Sequence, residues 1–99
     1  MTAAATLQTI SARRAEILAL AARYGASHVR VFGSVVRGEA RPDSDIDLLI
    51  TMDDRRSLLD YIALMQDLED LLGCRIDLVI EPDLHPAVRE RVLAEALPV

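Results

Sequence analysis

Two periods of apolar spacing divide this chain. Over residues 6–24, Leu7, Ile10, Ile17, Ala21 and Tyr24 recur at about helical spacing; Thr6 is placed to cap that helix and Gly25 to stop it. His28-Val29-Arg30-Val31-Phe32 then alternates with period two and is β-branched, which predicts a strand. It runs straight into Gly33-Ser34. Val35 to Arg37 is long enough for one helical turn, which Gly38 can end. Arg41-Pro42-Asp43-Ser44 is a turn signature, and Asp45 to Thr51 reads as a second strand. Residues 57–72 read as a helix capped by Ser57 and stopped by Gly73, with Leu58, Ile62, Met65, Leu68, Leu71 and Leu72 on its apolar side. Arg75 to Ile80 reads as a third strand broken by Glu81-Pro82, and a last helix runs from about Pro86 to Ala96.

The resulting order is α-β-(short α)-β-α-β-α, with no repeat, low-complexity tract or linker. It predicts one domain over residues 1–99, of the α+β (α/β-like) class, with a small mixed sheet of about three strands flanked by helices.

The strands carry an unusual cargo. Residues i and i+2 of a strand share a face and lie about 6.6 Å apart. Asp45 and Asp47 therefore project together, while Ile46, Leu48 and Ile50 point the other way. In the third strand Asp77 shares a face with Arg75 and Val79, opposite Ile76, Leu78 and Ile80. If the two strands are neighbours, three carboxylates converge. Aspartate is disfavoured in strands, and like charges about 4 Å apart repel by about 4 kcal/mol at an effective dielectric near 20. A divalent cation offsets that repulsion. Magnesium uses one or two carboxylates together with substrate phosphates, and a pair of such ions serves an in-line displacement. The plain alternative is a pair of solvated aspartates on an edge strand.

Gly33-Ser34 adds a phosphate-binding element. A glycine at a strand's end lets backbone approach a ligand, and the turn that follows points free N–H groups outward. The Ser34 hydroxyl adds a donor, and Arg37, one turn on, is within reach of a phosphate. A plain strand-to-helix turn is the alternative for Gly-Ser alone; its combination with Asp-x-Asp supplies what a metal–nucleotide complex needs.

Charge and composition narrow the chemistry. The chain has 99 residues, 52% of them hydrophobic, so a globular core is feasible. Net charge is −5, which argues against direct nucleic-acid binding but not against a mononucleotide carried with its cation. All 11 basic residues are arginines, so Schiff-base and P-loop lysine mechanisms are excluded. The longest apolar runs are too short to span a bilayer, and no leader-type n-region followed by an apolar stretch is present at the N-terminus. One cysteine, Cys74, makes no internal disulfide; a cytoplasmic location and no membrane association are expected.

Taken together, Gly33-Ser34, ten further residues and Asp45-Ile46-Asp47 resemble the GSX10DXD signature of the DNA polymerase β nucleotidyltransferase superfamily. More narrowly, Val31 to Gly38 followed by Ser44 to Ile50 resembles the minimal nucleotidyltransferase (MNT) antitoxins, and Gly73 to Val79 resembles their third-carboxylate strand. The likeness spans roughly residues 7–96 and implies the nucleotidyltransferase fold. It implies that Asp45 and Asp47 bind two magnesium ions. Asp77 would be a third ligand that also helps to activate the attacking hydroxyl, and Gly33 and Ser34 would hold the triphosphate. It further implies transfer of AMP from ATP to a tyrosine hydroxyl of a partner HEPN-domain RNase toxin, which silences the toxin, and hence a hetero-oligomer. No acceptor-holding domain accompanies the nucleotide-handling core, which favours a protein acceptor. The alternative is a non-catalytic antitoxin that neutralises its partner by complex formation alone.

Other residues read as structural. His28 and His85 are each isolated, with no second histidine at ligand spacing, Tyr61 suits packing in its helix, and Cys74 suits a small site at a helix–strand junction. Arg13-Arg14 and Arg55-Arg56 read as solvated faces, with partner docking as the lesser alternative.

Overall fold

Alternation along the second strand sets the layering. Ile46, Leu48 and Ile50 are all buried to 1% exposure or less, whereas Asp47 between them is only half-buried. The computed structural model describes residues 6–99. Residues 1–5, to which the reading of the N-terminus partly refers, lie outside them. In chain order the elements are α1 (Leu7–Ala12), α2 (Arg14–Arg23), β1 (Ala26–Phe32), a 3-10 turn (Gly33–Val35), β2 (Ile46–Met52), α3 (Leu58–Leu72), β3 (Ile76–Ile80), a second 3-10 turn (Glu81–Asp83), α4 (Pro86–Glu95) and β4 (Leu97–Pro98). The fold is mixed α+β, as expected. The sheet has four strands in the order β3-β2-β1-β4. β1 is antiparallel to β2 and β4, and β2 is parallel to β3.

Four expectations are corrected. Residues 6–24 do not form one helix: Arg13 leaves helical geometry (φ −105°, ψ 16°) and separates α1 from α2. Both halves keep the expected apolar stripe, since Ile10, Ile17 and Ala21 are buried. The turn after β1 is 3-10 and starts earlier, at Gly33 rather than Val35. The fourth strand, β4, is two residues long, too short for any period to announce it. Lastly, α3 buries Leu64 and Leu68, with Tyr61 and Met65 packed beside them, while Leu58 is 71% exposed. The apolar run Leu58-Leu59 falls in the first turn of α3 and stays exposed, Leu59 at 76%. Leu64→Ala is therefore expected to cost about 2–5 kcal/mol and Leu58→Ala less than about 0.5, read from urea midpoints; equal costs would contradict this packing.

The helix ends follow their chemistry. Thr6 and Thr9 form a reciprocal capping box on α1, and Ser57 and Asp60 form one on α3. Gly73 ends α3 in the left-handed region at φ +71°. His85 is the cap of α4, its Nδ1 accepting from the Ala87 N–H at 3.0 Å. Tyr61 donates its hydroxyl to the Leu78 carbonyl and so locks α3 onto β3. Cys74 is partly buried against the core; burial, then the charges of Asp45 and Glu69, push its thiol up, away from reactive thiolate. Arg14 departs from a purely solvated role, since its Nε donates to the Val99 carbonyl at 2.9 Å.

α4 is held differently from the other helices. Arg89 near its start donates to the Glu81 carbonyl at 3.0 Å, and Glu95 at its end accepts from the Gly33 N–H at 3.0 Å. Glu81 follows β3 and Gly33 follows β1, so these anchors lie at opposite ends of the sheet. Ten helical residues span about 15 Å, about the length of five strand residues. α4 thus runs along the sheet, on the side where Leu49 and Val92 are buried outside the main core cluster.

Candidate active site

Register brings the acidic residues together. In the parallel β2–β3 pair Asp47 lies directly beside Asp77, and in the antiparallel β1–β2 pair it lies beside Phe32, the residue before Gly33. Adjacent residues of neighbouring strands share a face. With β2 and β3 as neighbours, Asp47 and Asp77 share a face at one end of the sheet, opposite the apolar face that carries the core. The Ile46 N–H donates to the Arg75 carbonyl at 3.0 Å and fastens the start of β2 to β3. Asp45, which the sequence placed inside the strand, precedes it and is exposed.

The electrostatics mark Asp47 as the centre of this group. Its carboxyl is pushed up to about 6, first by burial, then by the charge of Asp77 and a hydrogen bond with it, then by Asp45; Arg37 pulls the other way. Such a carboxyl is held above its ordinary range until a cation relieves it. All three side chains offer hard oxygen of the kind a hard divalent cation takes. Among the described residues no three His, Cys, Asp or Glu side chains are pre-assembled as a metal cage.

Gly33 is where the turn and the carboxylates meet. It is buried and adopts φ +79°, and a Cβ built on it would overlap Asp47 Oδ2 and lie 3.1 Å from Asp47 Cγ. Only glycine lets the chain turn here against a carboxylate. Ser34 is half-buried in the same turn, whose backbone closes through the Arg37 N–H to the Gly33 carbonyl at 3.2 Å and the Glu39 N–H to the Ser34 carbonyl at 2.8 Å. Arg37 is exposed and pairs with Glu39 at 3.1 Å and with Glu95 at 2.8 Å. Glu95 is the site residue that sequence reasoning missed. It lies 62 residues from Gly33, and nothing in its local spacing signals the contact.

A separate cavity of about 620 Å³ opens at the far end of the sheet, lined in part by Met52, Arg56, Tyr61, Ile80 and Pro82. It shares no residue with the carboxylate face. His28, in the left-handed region at φ +52° within an irregularity of β1, likewise lies away from it.

Residues 17–99 match the nucleotidyltransferase domain family. The chain belongs to that family. Across 75 residues, 76% of either chain, this nucleotidyltransferase is 45% identical to a Thermococcus cleftensis protein named protein adenylyltransferase MntA. It superposes with a TM-score of 0.85 on a structure provisionally described as a minimal nucleotidyltransferase, at 55% identity over 96% of this chain and 97% of that one. The fold also recurs in a complex described as a tri-AMPylated Shewanella oneidensis HEPN toxin with its MNT antitoxin. There the TM-score is 0.66 at 19% identity, covering 89% of this chain and 69% of that one.

Proposed function

We propose that this nucleotidyltransferase is a magnesium-dependent antitoxin that transfers AMP from ATP to a tyrosine hydroxyl of a partner HEPN-domain RNase toxin. The observation that carries this reading is the Asp47–Asp77 register beside Gly33, which supports a metal-and-triphosphate face. The adenylyltransferase relative supplies the nucleotide, and the AMPylated toxin bound to an antitoxin of the same fold supplies the acceptor. Asp45, Asp47 and Asp77 would hold magnesium, which when bound neutralises the phosphates and the developing charge. Gly33 and Ser34 would cradle the triphosphate through backbone N–H and hydroxyl, with Arg37 as a further phosphate contact. Asp77 would accept the hydroxyl proton. The hydroxyl oxygen bonds to the α-phosphorus, the bond to the β-phosphate bridge breaks, and pyrophosphate leaves.

The acceptor hydroxyl would be presented by the partner, which makes a hetero-oligomer the working form. An acidic chain suits a protein rather than a nucleic-acid acceptor. No helix among the described residues is long and apolar enough to cross a membrane, and we place the protein in the cytoplasm with its partner.

Incubating the chain with α-labelled ATP, magnesium and a HEPN-domain partner should label the partner on tyrosine and release pyrophosphate. Absence of label with folded components would refute the transferase reading. Undiminished toxin neutralisation by an Asp45→Asn/Asp47→Asn double variant would favour the alternative, inhibition by complex formation alone.

A further inference from the structure

The donors assigned to the triphosphate are already engaged. The Gly33 N–H donates to Glu95 Oε2 at 3.0 Å, and Arg37 Nη1 donates to Glu95 Oε1 at 2.8 Å. One carboxylate thus bridges the strand-end amide and the guanidinium, with two oxygens spread as two phosphate oxygens would be. It is a sheltered contact: the Glu95 side chain is 19% exposed, against 49% for Arg37. Burial by itself would push the Glu95 carboxyl up, but the hydrogen bonds from Arg37 and Gly33 outweigh it and hold the group below its ordinary range. Glu95 is therefore an anion at neutral pH.

A backbone N–H has one proton and serves one strong acceptor at a time. A phosphate oxygen and the Glu95 carboxylate cannot both take it, and two anions crowded on the same donors repel. We propose that Glu95 is an affinity-determining residue of the nucleotide site: its carboxylate occupies the Gly33 N–H and Arg37 and must yield them to the triphosphate. This rests on the nucleotide reading above. The movement is a side-chain rotation. The Glu95 backbone is pinned from both sides, by α4 before it and by β4, whose Leu97 and Pro98 pair with Val31 and Arg30. The N–H and guanidinium are thereby kept satisfied before nucleotide arrives, which avoids leaving a buried donor unpaired.

Glu95→Gln tests this. The glutamine oxygen still accepts from Gly33, so the turn is preserved, while the charge that competes with phosphate is removed. Calorimetric titration with ATP and magnesium should give a Kd about 5- to 20-fold lower for the variant than for the unaltered chain, with adenosine binding unchanged. In the unaltered protein, the Glu95 carboxyl carbon resonance should shift on adding ATP, as it loses both donors; this readout needs no variant. ATP binding that is equal or weaker in Glu95→Gln, or a Glu95 resonance that stays fixed as ATP binds, would overturn the inference and leave the nucleotide site standing. No ATP binding by either folded protein would overturn the nucleotide reading itself, and this inference with it.

Discussion

Asp47→Asn should make the metal-free protein more stable and the enzyme nearly inactive. The asparagine removes a charge that burial, Asp77 and Asp45 all oppose, and keeps a group able to hydrogen-bond Asp77. A carboxyl lifted from 3.8 to about 6 corresponds to about 3 kcal/mol against the ionised form; solvent access to this half-buried group cuts that to about 1–2 kcal/mol. In a domain of this size the gain is about 5–10 °C in Tm at pH 7.5. The sign follows from the direction of the shift. A carboxyl whose folded value exceeds its unfolded value contributes stability that is full below pH ~4 and is lost as pH rises through ~6. The unaltered and variant proteins should therefore melt together near pH 4 and separate by pH 7. Magnesium with ATP should raise the Tm of the unaltered protein alone, and AMP transfer by the variant should fall by about 10³-fold or more, in line with the several kcal/mol a bound metal supplies. A variant that is no more stable than the unaltered chain at pH 7.5 would show that the three carboxylates do not repel.

Gly33→Ala should damage both fold and site through one contact. Holding alanine at φ +79° costs about 1–2 kcal/mol, and the overlap of its Cβ with the Asp47 carboxylate adds about 1–3 kcal/mol. The total, about 2–5 kcal/mol, contrasts with Gly38→Ala, where φ is +71° but no atom lies within 4 Å and about 1 kcal/mol is expected. Because displacement of Asp47 by about 1 Å misplaces a reacting group, transfer should drop by about 10²-fold. The decisive measurement is a double-mutant cycle. In an Asp47→Ala background the clash partner is gone, so Gly33→Ala should cost only its backbone strain, giving a coupling of at least about 1 kcal/mol. Additive costs would place the Gly33 requirement elsewhere than against Asp47.

The parts of this molecule visible in the sequence are those governed by local rules. Period-two spacing put Ile46, Leu48 and Ile50 inside and Asp47 on the opposite face, because strand side chains alternate whatever the strand packs on. Ser57 and Gly73 bounded α3 because caps act within one turn. Leu58 misled for the complementary reason: it satisfies helical period with Ile62 and Met65, yet burial depends on what packs against that turn, which period does not show. The break at Arg13 and the short strand β4 were hidden, since neither alters the spacing of apolar residues.

What the sequence determined alone was the set of chemical parts: a glycine–serine turn ten residues ahead of an Asp-x-Asp strand, and a third aspartate in another apolar strand. These follow from backbone periodicity, which is a property of neighbouring residues. Only the tertiary structure decided that β2 and β3 lie side by side and in register, so that Asp47 faces Asp77. It alone also brought Glu95 from the end of α4 onto the Gly33 N–H. Both are contacts between segments far apart in the chain, set by which apolar faces pack together, and no local pattern of polar and apolar residues encodes that choice.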